Sequence, residues 1–204
     1  MGTIVVLYQE LDNRGVTMYG VIFDFLRDYV IEKHGGKDTW NALLKANGYG
    51  YKIFFPVTEY PDEEIVALAQ TASAALKVPL PDVLEDFGSF VGHKLMTFYS
   101  MYADNKRWKT FDVIENAGGC IHHAVHRHNP SRKPPFISAH RETDDLLVIR
   151  YKSHRKLCSV VKGIIRGLGE RYGEAFDIEE IQCMHHGGKE CILNVTRIHG
   201  ATIH

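Results

Sequence analysis

The side chains best able to do chemistry begin with a cluster of imidazoles. Ile121-His122-His123-Ala124-Val125-His126-Arg127-His128 places four histidines within seven positions. On a helix His122 and His126 share a face one turn apart, which is also a spacing that suits two ligands of one zinc ion. The stretch His122 to His126 is close to the HExxH zinc motif, but His123 stands where the glutamate base belongs. A hydrolytic site would therefore lack its proton acceptor. Two readings stay open: a histidine-rich helix end, favourable against the negative end of the helix dipole, or a single imidazole serving as axial ligand to haem iron.

A second group is Tyr151-Lys152-Ser153-His154-Arg155. Along a strand, residues two apart point the same way. Tyr151, Ser153 and Arg155 would then form a row of donors, extended by apolar Leu147 and Ile149. A guanidinium fork with two hydroxyls suits carboxylates or phosphates. The plainer alternative is a solvated strand face.

The third group is Cys158, Cys183 and Cys191 with His185 or His186. Three thiolates and one imidazole fit tetrahedral zinc. The spacing is not a strict CxxC, and buried unpaired cysteines are common in cores.

The composition bounds what these groups serve. The 204 residues carry 24 Lys plus Arg against 25 Asp plus Glu, a net charge of −1, which argues against nucleic acid as partner. With 45% apolar residues the chain can bury a core. No apolar run reaches the roughly 18 residues of a membrane span. The run Ile4-Val5-Val6-Leu7 lacks the basic flank and small-residue cleavage site of a signal peptide. Four cysteines in a chain this long read as reduced thiols, so a cytoplasmic location is expected.

The elements that position these groups fall into two halves. Met18 to His34 has apolar residues at helical spacing, stopped by Gly35-Gly36. Asp38 is placed to cap a helix through Trp40 to Ala46. Pro61-Asp62-Glu63-Glu64 opens a third helix, Pro81-Asp82 a fourth running to Phe98, and Phe111 to His128 forms a further one. After Pro134-Pro135 the pattern changes to strands. Phe136–Thr143 and Asp145–Ser153 form one pair, and Phe176–Met184 and Glu190–Arg197 another. Between them lies a helix from Leu157 to Tyr172, kept small on one side by Gly163, Gly167 and Gly169. This order predicts an α+β fold with a four-stranded antiparallel sheet. Residues 1–17 sit outside this organisation as an extension or an upstream start.

Met18-Tyr19-Gly20, Ile121-His122, Pro130, Pro134-Pro135-Phe136, Tyr151-x-Ser153-x-Arg155 and the glycine-rich helix from Gly163 occur in the order and approximate spacing of one family. The chain from Met18 to about Val195 resembles the H-NOX domains, the haem nitric oxide/oxygen-binding domains of bacterial gas sensors and of soluble guanylate cyclase. The resemblance implies one haem-binding domain over residues 18–204. It has a distal helical part at about 18–85 and a proximal part at about 86–204, with haem between them.

The resemblance also implies residue roles. His122 is the proximal ligand of a non-covalent haem b, with no CxxCH for covalent attachment. Tyr151, Ser153 and Arg155 hold the propionates, Pro135 presses on the porphyrin, and Ile22 and Leu26 line the distal side. Oxygen-binding members carry a tyrosine five residues beyond the motif arginine, where this chain has Val160. Lacking that donor, a five-coordinate ferrous haem is expected to take NO and CO and reject O2. Tyr19 and Tyr29 remain alternative donors. NO is expected to signal by weakening the Fe–His122 bond, so the protein switches rather than catalyses.

With no room for an output domain, the partner is expected to be a separate histidine kinase or cyclic-di-GMP enzyme of a bacterial cytoplasm. The domain itself is expected to be a monomer. Some stand-alone relatives carry zinc, whose cysteines Cys158, Cys183 and Cys191 resemble, with His185 or His186 as fourth ligand. The competing expectation is a haem-free adaptor with a structural zinc site.

Overall fold

The computed structural model describes residues 17–98, 108–116 and 135–200. The chain divides into two compact units between Val78 and Pro79.

The first unit holds β1 (Thr17–Tyr19), α1 (Gly20–Lys33), α2 (Gly36–Ala46), β2 (Glu59–Pro61) and α3 (Asp62–Leu76). The helix expected from Met18 starts only at Gly20, because Thr17–Tyr19 pairs antiparallel with Glu59–Pro61. The Gly20 N–H donates to the Thr58 carbonyl at 2.8 Å. A side chain on Gly20 would overlap the Phe55 carbonyl, which makes glycine the residue that fits. Gly35 and Gly36 have φ of 92° and 82° and separate α1 from α2 as expected. Asp38 does not cap α2. The helix begins at Gly36, and Asp38 lies inside its first turn, where its charge still suits the dipole. Pro61 is the residue before α3, with Asp62, Glu63 and Glu64 in the first turn. Phe23, fully buried, anchors this unit by stacking on Phe54 at 4.1 Å, with Tyr60 edge-on at 5.5 Å.

The second unit holds α4 (Leu80–Phe98), a helical segment at residues 110–116, β3 (Phe136–Arg141), β4 (Leu146–Lys152), α5 (Cys158–Tyr172), β5 (Ala175–Gln182), a 3-10 turn (Met184–His186) and β6 (Cys191–Ile198). The four strands form one antiparallel sheet in the order β3-β4-β6-β5. The first hairpin turns at Thr143, whose hydroxyl accepts the Leu146 N–H at 3.0 Å. Of the helix expected over Phe111 to His128, residues 110–116 are helical, and the histidine cluster lies outside the described residues.

Leu147, Ile149, Leu193 and Val195 are essentially inaccessible and form the sheet's buried face with Ile165 and Leu168 of α5. α4 and α5 pack backbone to backbone. A Cβ on Gly163 would collide with the Glu85 carbonyl, one on Gly167 with that of Ser89, and one on Gly88 with that of Val160. The small side read from the glycines of α5 is thus a helix contact. No helix among the described residues is long and apolar enough to cross a membrane.

Candidate functional site

Tyr151, Ser153 and Arg155 do meet, but not as a strand face. β4 ends at Lys152. The chain then turns, with the Lys156 N–H donating to the Ser153 carbonyl at 3.1 Å and Lys156 itself at φ 50°. Alternation therefore stops before Ser153, and the turn gathers the donors instead. The Tyr151 phenol oxygen accepts the Leu157 N–H at 3.2 Å and lies beside the Ser153 hydroxyl. The Ser153 oxygen accepts the Arg155 N–H at 3.2 Å. Burial pushes the Tyr151 phenol above its ordinary value, so it remains a neutral O–H donor. Ser153 is 8% exposed and, with Thr110, is one of two buried polar side chains among the described residues. Two hydroxyls and, next in the same turn, a guanidinium are groups able to donate to a carboxylate. That is the chemistry two haem propionates need, since drawing them from water unpaired costs several kcal/mol.

The thiols come together on the same side of the sheet. Tyr151 pairs in register with Cys191, and Tyr151, Cys158, Cys183, Met184 and Cys191 pack as one buried cluster. The Cys183 sulfur lies 3.8 Å from Cys158 Sγ and 3.9 Å from Cys191 Sγ. Cys191 Sγ also accepts the Met184 N–H at 3.3 Å. Burial, and then the neighbouring sulfurs, push the Cys158 thiol up, and burial does the same to Cys191.

Among the described residues, the group that could hold a metal ion does not include His185 or His186. His185 and His186 are exposed, and the His185 Nε2 bonds the Lys156 carbonyl at 2.8 Å. Glu180 joins the three thiols instead, with one oxygen within 4.8 Å of all three sulfurs. Glu180 Oε1 is buried with no hydrogen-bond partner, while Oε2 lies 3.4 Å from Lys162 Nζ. The sequence did hold a signal. Phe176 and Ile178 point inward from β5, and two further on an apolar residue is due, where an acid stands.

Ile22 and Leu26 lie one turn apart on α1, the first half-buried and the second buried. Pro135 directly precedes β3 and is half-buried, and Val160 is half-buried in the first turn of α5. His122 lies outside the described residues.

The chain matches the haem-NO-binding family over residues 19–180. It is 28% identical over 173 residues to soluble guanylate cyclase gcy-32 of Caenorhabditis elegans, covering 79% of this chain and 24% of that protein. It is 22% identical over 173 residues to gcy-35 of the same organism, covering 81% and 24%. The chain therefore spans about a quarter of the length of these relatives. Among solved structures, an H-NOX protein from S. oneidensis in the Fe(II)NO ligation state aligns with TM-score 0.80 at 24% identity, covering 89% of this chain and 99% of that one. The Fe(II) unliganded H-NOX protein from K. algicida aligns at 0.72 and 20%, covering 92% and 100%. At these identities the likeness is one of fold, and the α+β class expected from the sequence is the fold they share.

Proposed function

The chain belongs to the haem-NO-binding family, the H-NOX domains, and from that membership we propose that it is a haem b sensor that takes NO, and CO, but rejects O2. The family consists of haem-based gas sensors, and its domains sense rather than catalyse. The observation that carries the reading is the turn that brings the buried Tyr151 phenol and Ser153 hydroxyl together, with Arg155 next in the same turn. When bound, haem supplies a ferrous iron with an open position for a diatomic gas.

The chain's own residues do the rest. Tyr151 and Ser153 donate hydroxyl hydrogens to the propionates, and Arg155 offers its fork. His122 would supply the imidazole ligand to the iron, and Pro135 would pack against the porphyrin. Ile22 and Leu26 keep the gas side apolar. At Val160 there is no hydrogen-bond donor, and a donor favours bound O2 far more than bound NO. On this reading His122 would be the residue whose bond to the iron reports NO, and a partner would read its release. That partner is a histidine kinase or a cyclic-di-GMP enzyme.

A second metal belongs to this reading. Tetrahedral zinc with Zn–S bonds of about 2.3 Å holds its sulfurs about 3.8 Å apart. The sulfur separations of 3.8 and 3.9 Å at Cys158, Cys183 and Cys191, with the unpartnered Glu180 oxygen, suit a structural Cys3Glu zinc site.

The deciding measurement is an absorption spectrum of the reduced full chain with and without NO. A Soret band that shifts on NO and not on air is expected. Colourless protein from haem-replete cells would refute the sensor and favour a haem-free adaptor.

A further inference from the structure

Glu180 and Cys183 belong to one cluster, although in a regular strand positions an odd number apart face opposite sides of the sheet. A bulge removes the conflict. Glu180 pairs with Leu193 and Gln182 with Ile192, so Ile181 is an extra residue in β5. Leu193 lies on the buried face, whereas Ile192 pairs with exposed Arg150 on the opposite one. Past the bulge the alternation is reset, and buried Cys183 returns to the side of Glu180. Bulges re-aim side chains in this way beside functional sites.

The carboxylate so aimed is held at one oxygen. Lys162 Nζ donates to Glu180 Oε2 at 3.4 Å, and each side chain is 21% exposed. Lys162 stands four positions after Cys158 on α5, so the two share a helix face one turn apart. That face carries both a thiol of the cluster and the cation that pins its carboxylate. Glu180 Oε1 is buried with no hydrogen-bond partner. Such an oxygen costs free energy unless a donor or a cation satisfies it.

A partly exposed Lys–Glu pair adds little to stability by itself. Its worth here is orientation, since an outer partner fixes how a metal ligand points. A cation suits the place better than a neutral donor, because three thiolates and a carboxylate outweigh the charge of a divalent ion. We propose that Lys162 is a positioning residue of the zinc site: it fixes Glu180 by Oε2 and leaves Oε1 to complete the set of Cys158, Cys183 and Cys191. This role rests on the zinc reading above.

The test uses the full chain, stripped of zinc, titrated with Co2+ and then with zinc against a chromophoric chelator. Wild type is expected to develop the charge-transfer and d–d bands of tetrahedral cobalt bound by thiolates, and to exchange it for zinc. K162M keeps the aliphatic stem and should raise the zinc dissociation constant about tenfold, the low end for losing an outer partner of a metal ligand. K162R, which keeps a charged donor, should stay within about threefold of wild type. The zinc-free melting temperature should change little in either variant. Combining K162M with E180A separates positioning from general loosening: the double variant should bind zinc within about threefold of E180A alone. K162M with wild-type zinc affinity, or penalties that multiply in full in the double variant, would overturn the role of Lys162. If K162M does not fold, K162Q decides by the same titration. Wild-type protein with no thiolate-to-cobalt band would refute the zinc reading instead, a failure visible before any variant is made.

Discussion

The sulfurs of Cys158 and Cys183 face each other across 3.8 Å, although one opens α5 and the other follows β5. Cys191, at the start of β6, brings a third sulfur 3.9 Å from Cys183. These separations are far from the roughly 2 Å of a disulfide and close to those around a tetrahedral ion. The protein should therefore purify with about one zinc per chain, and Cys183→Ser should lose it. Glu180→His should retain the metal, whereas Glu180→Ala should bind it more weakly. Because burial holds the Cys158 and Cys191 thiols protonated, zinc added to stripped protein near neutral pH should release protons, and affinity should fall as pH drops. Metal analysis and proton-release titration check this. A chelator that leaves the melting temperature unchanged would remove the structural role.

The contact of α4 with α5 gives a sharper stability prediction. Gly163 stands where a Cβ would collide with the Glu85 carbonyl, which is backbone and cannot swing aside. Alanine usually stabilises a helix relative to glycine by about 1 kcal/mol. In Gly163→Ala that gain is opposed by overpacking, which costs roughly 1–3 kcal/mol or more. The net should be destabilising, read as a lower denaturant midpoint with little change in slope. A midpoint at or above wild type would mean that the helices separate easily.

The order of elements and the sheet were legible because their signals are local. Gly35-Gly36, Pro61 with its acids, and the alternation of β4 each act within a few residues. Thr17–Tyr19 was missed because its partner lies some forty residues on, in a three-residue strand with little propensity of its own. Tyr151, Ser153 and Arg155 were read as one strand face, which β4 does not provide, since it ends at Lys152. The Tyr151–Arg155 spacing fits a strand, but the turn at Lys156 is what gathers the side chains. Glu180 was overlooked because β5 carries three acids, Asp177, Glu179 and Glu180, and it looks as solvent-facing as the others until the inward parity of Phe176 and Ile178 is followed through it.

Val160 carries the expected gas preference. Val160→Tyr would put a phenol where oxygen-binding relatives carry one. The variant is expected to gain an oxygen complex stable enough to record on mixing reduced protein with air, while NO binding persists. Wild-type protein that already forms a stable oxygen complex would transfer the donor role elsewhere, with Tyr29, buried on α1, the first residue to substitute.

Substitutions at Tyr151 and Arg155 test whether holding the cofactor can be separated from holding the fold. Tyr151 is buried, and its phenol oxygen is the acceptor for the Leu157 N–H just before α5. Tyr151→Phe keeps the ring but strands that N–H, a loss of about 1–3 kcal/mol on top of any loss of haem. Arg155 lies half-exposed in the turn, and its backbone N–H, which bonds Ser153, survives substitution. Arg155→Ala should therefore release haem faster to an apomyoglobin acceptor with the haem-free melting temperature nearly unchanged. Tyr151→Phe should change both. Equal haem loss rates for Arg155→Ala and wild type would remove the guanidinium from the propionate set. A haem-free Tyr151→Phe protein as stable as wild type would mean that the Leu157 N–H has found another acceptor.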